Sequence, residues 1–225
     1  MSKSKYNVVN PDDVITQYGA DCFRMFEMFL GPIEQSKPWD DKGISGVSSF
    51  LRKFWRLFYS ETAWKVTDEV PTEKELKVLH KTIKKISEDI EKMSFNTSVS
   101  QFMIAVNELQ DMKCSKRAIL EPLILCLAPF APFTTEELWH ALGYEDSVHH
   151  ASFPKFESKY LVENEIEYPV SINGKTRASI TLPNEISQEE AWARVSELET
   201  VQKWMDGKSY KKFVFVKGRI INIVV

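Results

Sequence analysis

No apolar run in this sequence approaches the roughly 18 residues that a membrane-crossing helix needs, and its first residues lack the apolar core of a secretory signal. No membrane partner is expected, and the cytoplasm is the expected address. Cysteine is scarce: Cys22, Cys114 and Cys126 are odd in number, far apart and set among apolar neighbours. They read as buried free thiols, which excludes a disulfide frame. The four histidines, His80, His140, His149 and His150, show no ligand spacing with those cysteines. No metal site is expected, and His149-His150 reads as an exposed loop pair. Eight glycines in 225 residues make no phosphate-cradling loop. Nor does charge of one sign dominate, since a net charge of −3 is not that of an indiscriminate nucleic-acid binder.

The distribution of charge is more informative than its total. From Tyr168 to Val225 nine Lys/Arg face six Asp/Glu, whereas the preceding residues hold twenty against twenty-six. A shift from acidic to basic balance marks a domain boundary, and the hydrophobic period changes at the same place.

Before it, the pattern is helical. Asn10-Pro11-Asp12-Asp13 is a helix start: Asn accepts from free amides, Pro suits the first position, and two carboxylates face the positive end. Gly19 interrupts that helix. Ala20 to Leu30 is apolar on nearly every side and ends at Gly31-Pro32. A polar connection holding Trp39 follows. Val47, Phe50, Leu51, Phe54 and Phe58 then recur at helical spacing, with Arg52, Lys53 and Arg56 off that stripe. Leu76, Leu79, Ile83, Ile86, Ile90 and Met93 predict an amphipathic bundle helix, with Lys81, Lys84 and Lys85 on its polar side. Two more helices are expected, from Asn96 to Met112 and from Ser115 to Leu127, the second kinked at Pro122. LAPFAPF breaks the chain. Thr134 with Glu137 then reads as a capping box for a helix ending at Gly143. No strand is expected in this part.

From Tyr168 the period is two. Val170 and Ile172 precede Asn173-Gly174, a tight-hairpin turn, and Ala178, Ile180 and Leu182 follow. Ser187 with Glu190 opens a helix running through Ala191, Val195, Leu198 and Val201. Two β-branched runs around Lys217-Gly218-Arg219 end the chain. The expected fold class is an all-helical bundle followed by a small ββαββ domain. Residues 1–42 lead into the bundle at 43–150, a linker spans 151–167, and the last domain is 168–225.

No complete catalytic constellation is present. Asp12-Asp13, Asp40-Asp41 and Glu136-Glu137 fall at helix starts or in loops, where carboxylates stabilise helix ends, and no nucleophile–base pair follows from spacing. The polypeptide alone is expected to be catalytically silent. For RNA the sequence offers the bundle, with Arg52, Lys53 and Arg56 and the row Lys81, Lys84 and Lys85, and the stretch from Lys203 to Arg219. The second holds six basic residues against one acidic, with Tyr210 and Phe213 among them, and charge beside an aromatic plane suits RNA.

Read onward from its start, MSKSKYNVVNPDDVITQYGAD followed by an apolar helix resembles the segment that begins with the KMSKS signature of class I aminoacyl-tRNA synthetases. MSKS is present and the leading Lys is absent. LAPFAPFTTEELW resembles the hallmark of the anticodon-binding bundle of the enzymes for leucine, isoleucine and valine. GPIEQSKPW and the terminal ββαββ module resemble the bacterial-type leucyl enzymes in particular. The resemblance covers essentially the whole chain, and it implies a C-terminal piece that starts within the KMSKS loop and lacks the nucleotide-binding core and the editing domain. Tyr6 departs from the pattern, standing where many relatives have Gly; this bears on the loop's conformation.

The resemblance also implies roles. Lys3 maps onto the lysine that neutralises charge on the leaving pyrophosphate in the intact enzyme, and Met1, Ser2, Lys3 and Ser4 would bind ATP, used with magnesium. Leucine-accepting tRNA would be the partner of Lys208, Tyr210, Lys211, Lys212, Lys217 and Arg219, with Arg52 and Arg56 as bundle contacts. The remaining synthetase chain would be the other partner, in a monomer. An isoleucyl or valyl enzyme, or a free-standing RNA-binding or assembly module, are the other readings.

Overall fold

Asn10 opens the first helix as its chemistry predicts, its side chain accepting the Asp12 amide at 3.3 Å with Pro11 in the first turn. The computed structural model describes residues 9–37, 39, 43–161, 165–205 and 210–224. These fall into two compact units, Met1–Leu161 and Val162–Val225.

The first unit is built on seven described helices: α1 (Pro11–Tyr18), α2 (Ala20–Phe29), α3 (Ile44–Trp55), α4 (Glu73–Glu91), α5 (Phe95–Asp111), α6 (Arg117–Leu127) and α7 (Pro132–Ala141). Their apolar stripes meet in one core. Phe26, Val47, Phe50, Phe54, Ile83, Ile86, Phe102, Leu109, Leu123, Leu127 and Leu138 are all buried in it. Pro122 lies inside α6 as expected, where it removes one amide from the helical ladder. α4 is opened by a capping box in which Thr72 and Glu75 satisfy each other's backbone amides. Cys22, Cys114 and Cys126 are buried free thiols. Burial pushes the first two up to about 11 and the third higher still, so all three remain protonated at neutral pH.

Three expectations for this unit need correction. A short hairpin, β1 (Tyr59–Ser60) with β2 (Ala63–Trp64), interrupts the helices. Glu61 sits in the left-handed region, φ 55°; Trp55 at the end of α3 stacks on Tyr59, and Trp64 meets Tyr59 edge-on across the hairpin, each at 5.1 Å. Two-residue strands are too short to show a period of two. Met93 does not extend the stripe of α4: the helix ends at Glu91, and Met93, at φ 53°, is 58% exposed in the turn to α5.

The third correction concerns α7. It begins at Pro132, two residues before Thr134, so Thr134 is not its N-cap and Glu137 is no capping-box partner. Ala131 occupies the cap position and has no acceptor. The acceptor comes from α2: the Asp21 carboxylate takes the Phe133 amide at 3.2 Å, and the Thr134 amide and hydroxyl at 2.6 Å each. Arg24, one turn on, donates twice to the Pro129 carbonyl. One helix thus holds both sides of the break in LAPFAPF.

The stretch after α7 is tied to the bundle at several points. Glu136 accepts the Val148 amide at 2.9 Å and the Ser147 hydroxyl at 3.0 Å. His80 Nδ1 accepts the Glu157 amide at 3.1 Å, and its ring stacks on Tyr160 at 4.6 Å. Of residues 151–167, those up to Leu161 belong to the first unit, and the next strand begins at Glu165.

The second unit contains β3 (Glu165–Ile172), β4 (Lys175–Pro183), α8 (Gln188–Ser196), α9 (Glu199–Met205), β5 (Lys212–Val216) and β6 (Ile220–Val224). Sheet order is β4-β3-β6-β5, with β3 and β6 parallel and the other pairs antiparallel. Asn173 and Gly174 both have positive φ, 49° and 78°, as a type I′ turn requires. Ser187 and Glu190 form the expected capping box. Tyr168, Val170, Ile172, Leu182, Phe213, Ile221 and Ile223 line the covered face of the sheet, over Ala191, Val195 and Val201 from the helices. The single helix expected from Ser187 to Val201 is instead two, broken between Ser196 and Glu199.

Candidate nucleic-acid interface

Of the residues expected to act, Met1, Ser2, Lys3, Ser4 and Lys208 lie outside the described residues, as does Tyr6. The others can be placed.

The structure divides the basic residues of the last unit. β5 and β6 are antiparallel, with Lys212 opposite Val224 and Val216 opposite Ile220. Tyr210, Lys211 and Lys212 therefore stand at one end of this hairpin and Lys217 and Arg219 at the other, separated by a five-residue strand, about 16 Å. All are exposed. β6 runs parallel to β3, so the Asn173-Gly174 turn lies at the Lys212 end. There Asn222 accepts the Gly174 amide at 3.1 Å, and Lys175 opens β4, three strands from Lys212, at the same end of the sheet. At the opposite end the Tyr168 hydroxyl, reaching from the covered face, accepts the Gly218 amide at 3.0 Å and holds the turn that carries Lys217 and Arg219. Tyr210 is 40% exposed and packs edge-on against Trp192 at 4.4 Å. Its ring is thus fixed by α8 while its rim meets solvent.

On the bundle, Arg52 and Arg56 are exposed on and just beyond α3. Arg52 bonds back to the Ser48 hydroxyl at 3.1 Å, which points it along a groove of about 820 Å³ lined by Tyr18, Asp21, Trp55, Phe133 and Thr134. Phe133 is 70% exposed at the rim. Lys53 is committed elsewhere, to Asn107 at 2.8 Å. The row on α4 is largely spent in local pairing: Lys84 on Glu88 and Lys85 on buried Asp89. That surface reads as a helix face stabilised by i,i+4 pairs.

Among the described residues no group of His, Cys, Asp and Glu has the makings of a metal site, and no helix is long and apolar enough to cross a membrane. His140 and Glu136 lie 3.3 Å apart, but both also bond to the chain around residues 144–148, so the pair holds a turn.

Sequence reasoning missed the pairing of Arg177 with Trp204. Arg177, on β4, sits over the indole of Trp204, from α9, at 4.5 Å. Trp204 lies within the basic stretch from Lys203 to Arg219, where only Tyr210 and Phe213 stood out as aromatics, and Arg177 lies outside it. The available signal was the LPN break after β4, which sends the chain back across its own strand.

A family model described as "Anticodon-binding domain of tRNA ligase" matches residues 74–192. The chain is 55% identical over 226 aligned residues to a leucine–tRNA ligase of Cytophaga hutchinsonii and 56% identical to one of Parabacteroides distasonis, with all of this chain aligned in each case. It spans about a quarter of the length of these curated relatives, 24%. A solved structure, the ternary LeuRS–tRNA–LeuAMS complex of Agrobacterium radiobacter K84, is similar with a TM-score of 0.71 and 29% identity, covering 100% of this chain and 31% of that one. Matched by the family model over more than half its length and by these relatives along all of it, the chain belongs to the anticodon-binding domain family of tRNA ligases, in the form carried by leucine–tRNA ligases.

Proposed function

We propose that this chain is the tRNA-binding, C-terminal portion of a leucine–tRNA ligase, which when intact joins leucine to its tRNA with ATP and magnesium. The observation that carries the reading is identity above one half along the entire chain to leucine–tRNA ligases. Lys3 is assigned to stabilising charge on the leaving pyrophosphate, with Met1, Ser2 and Ser4 beside it at ATP. This role requires the rest of the enzyme, so the isolated chain activates no amino acid. The exposed cations of the last unit supply the tRNA contact: Lys211 and Lys212 beside Tyr210 on one side, Lys217 and Arg219 on the other, and Lys208 is assigned to the same contact from the sequence. Arg52 and Arg56 add a second contact on the bundle. The remaining ligase chain is the other partner, and the assembly is monomeric.

The test is a titration of the 225-residue chain with leucine-accepting tRNA and with a non-cognate tRNA at low and moderate salt. Binding that persists at moderate salt and favours the leucine tRNA is expected. Equal binding to both, falling steeply with salt, would reduce the interaction to generic phosphate attraction. In a full-length ligase, Lys3→Ala is expected to abolish leucine-dependent pyrophosphate exchange; an unchanged rate would remove Lys3 from the chemistry.

A further inference from the structure

The tRNA reading accounts for the basic hairpin β5–β6 but leaves unused a second arrangement at the far edge of the same sheet. β4 is an edge strand. Its register with β3 passes from Val170–Ala178 directly to Ser171–Thr176, so Arg177 has no partner across the ladder. This is a β-bulge, a device that re-aims one side chain at a sheet edge. Here it brings Arg177 over the indole of Trp204, 4.5 Å from the ring centre.

Both members remain available. Trp204 is 49% exposed, and among the described residues no other ring or cation packs on it. Arg177 is exposed, and no hydrogen bond or ion pair joins its guanidinium to another described residue. Lys175 on the same strand and Lys203 beside Trp204 add positive charge, with Glu199 as the acid of α9. An exposed aromatic plane, a guanidinium over it and surrounding cations are the elements with which proteins hold an unstacked nucleobase and its phosphate.

We propose that Arg177 and Trp204 form an RNA site of their own, in which an unpaired nucleobase stacks on the exposed indole and the adjoining phosphate is bound by the guanidinium. The site lies three strands from Lys212, roughly 14 Å across the sheet, so it contacts a different nucleotide from the hairpin. It rests on the reading of this chain as a tRNA-binding piece and adds to it a stacking contact on an unpaired base.

The test uses the whole chain, tRNA carrying 5-iodouridine, and mapping of the photo-crosslinked peptide. Crosslinks are expected on the peptide containing Trp204. Stacking on one base is worth enough that Trp204→Ala should weaken tRNA binding roughly five- to 150-fold, while Trp204→Phe keeps most of it. Arg177→Gln, which leaves the indole and the fold in place, should lower the salt slope by about one phosphate contact. Wild-type thermal midpoints with unchanged affinity in Trp204→Ala and Arg177→Gln would make the pair a structural clamp and overturn the proposal. So would crosslinks confined to the β5–β6 hairpin. Should Trp204→Ala fail to fold, the Arg177→Gln salt slope decides. Should wild type bind no tRNA, the functional reading itself fails, and crosslinking to a single-stranded oligouridine containing 5-iodouridine then tests the pair alone.

Discussion

Substituting Asp21 should destabilise a helix that lies more than a hundred residues away. Its carboxylate is the acceptor for the Phe133 and Thr134 amides, the second and third residues of α7, and for the Thr134 hydroxyl. Ala131, at the cap position, offers no alternative. Losing an N-cap acceptor costs about 0.5–2 kcal/mol, and hydrogen bonds to a charged group contribute about 1.5–3 kcal/mol. Water reaches the Phe133 amide beside its exposed ring and recovers part of that loss. The expected cost of Asp21→Ala is therefore about 3 kcal/mol. Asp21→Asn keeps one acceptor oxygen and loses the charge facing the helix dipole, a cost of about 1 kcal/mol. Urea titration followed by near-UV circular dichroism suits this measurement, because Trp139 of α7 stacks on Tyr144 at 3.9 Å and reports the helix directly. A shift below about 0.5 kcal/mol for Asp21→Ala, or equal shifts for the two variants, would refute the capping role.

Three further outcomes follow from buried polar groups. Burial alone would raise the Glu75 carboxyl, but the Lys116 ion pair at 2.8 Å and the Thr72 bonds carry it down to about 2 from 4.5. The unfolded chain takes up that proton first, so the stabilisation is complete above about pH 4.5 and is lost as pH falls toward about 2. Acid titration of Glu75→Gln should show this slope flattened, with about 2 kcal/mol less stability at pH 7. Burial lowers His80 below its ordinary value, so its neutral ring stabilises the fold above about pH 6.5 and that contribution declines on acidification. His80→Ala should release residues 157–160 from α4 and speed proteolytic cleavage there by about tenfold; an unchanged cleavage rate would mean the ring does not hold the segment. Tyr168→Phe removes the acceptor for the Gly218 amide and should cost about 1 kcal/mol, read as a lower urea midpoint of the second unit; an unmoved midpoint would show the turn to be self-supporting.

Much of the helical order was legible because its signals are local. Asn10-Pro11 and Ser187 with Glu190 act over three residues or fewer, and the stripe of α4 repeats each turn. Asn173-Gly174 needs only its own two dihedral angles. Thr72 with Glu75 carried the same capping-box signal and passed unread, hidden by the stronger stripe beside it. The terminal basic run was legible as charge, yet its division between the two ends of a hairpin was not, since composition does not register strand direction.

The sequence by itself determined the family, the change from helical to strand period near Tyr168, and the core-facing side of each long element. All of these depend on residues close together in the chain. Only the tertiary structure decided where α7 begins, because its cap is a carboxylate more than a hundred positions upstream. The same holds for the parallel pairing of β3 with β6 and for Arg177 on Trp204, which a bulge and a chain reversal bring together. Contacts between residues far apart leave no periodic trace in a single sequence; they exist only once burial of the apolar faces has brought the elements into register.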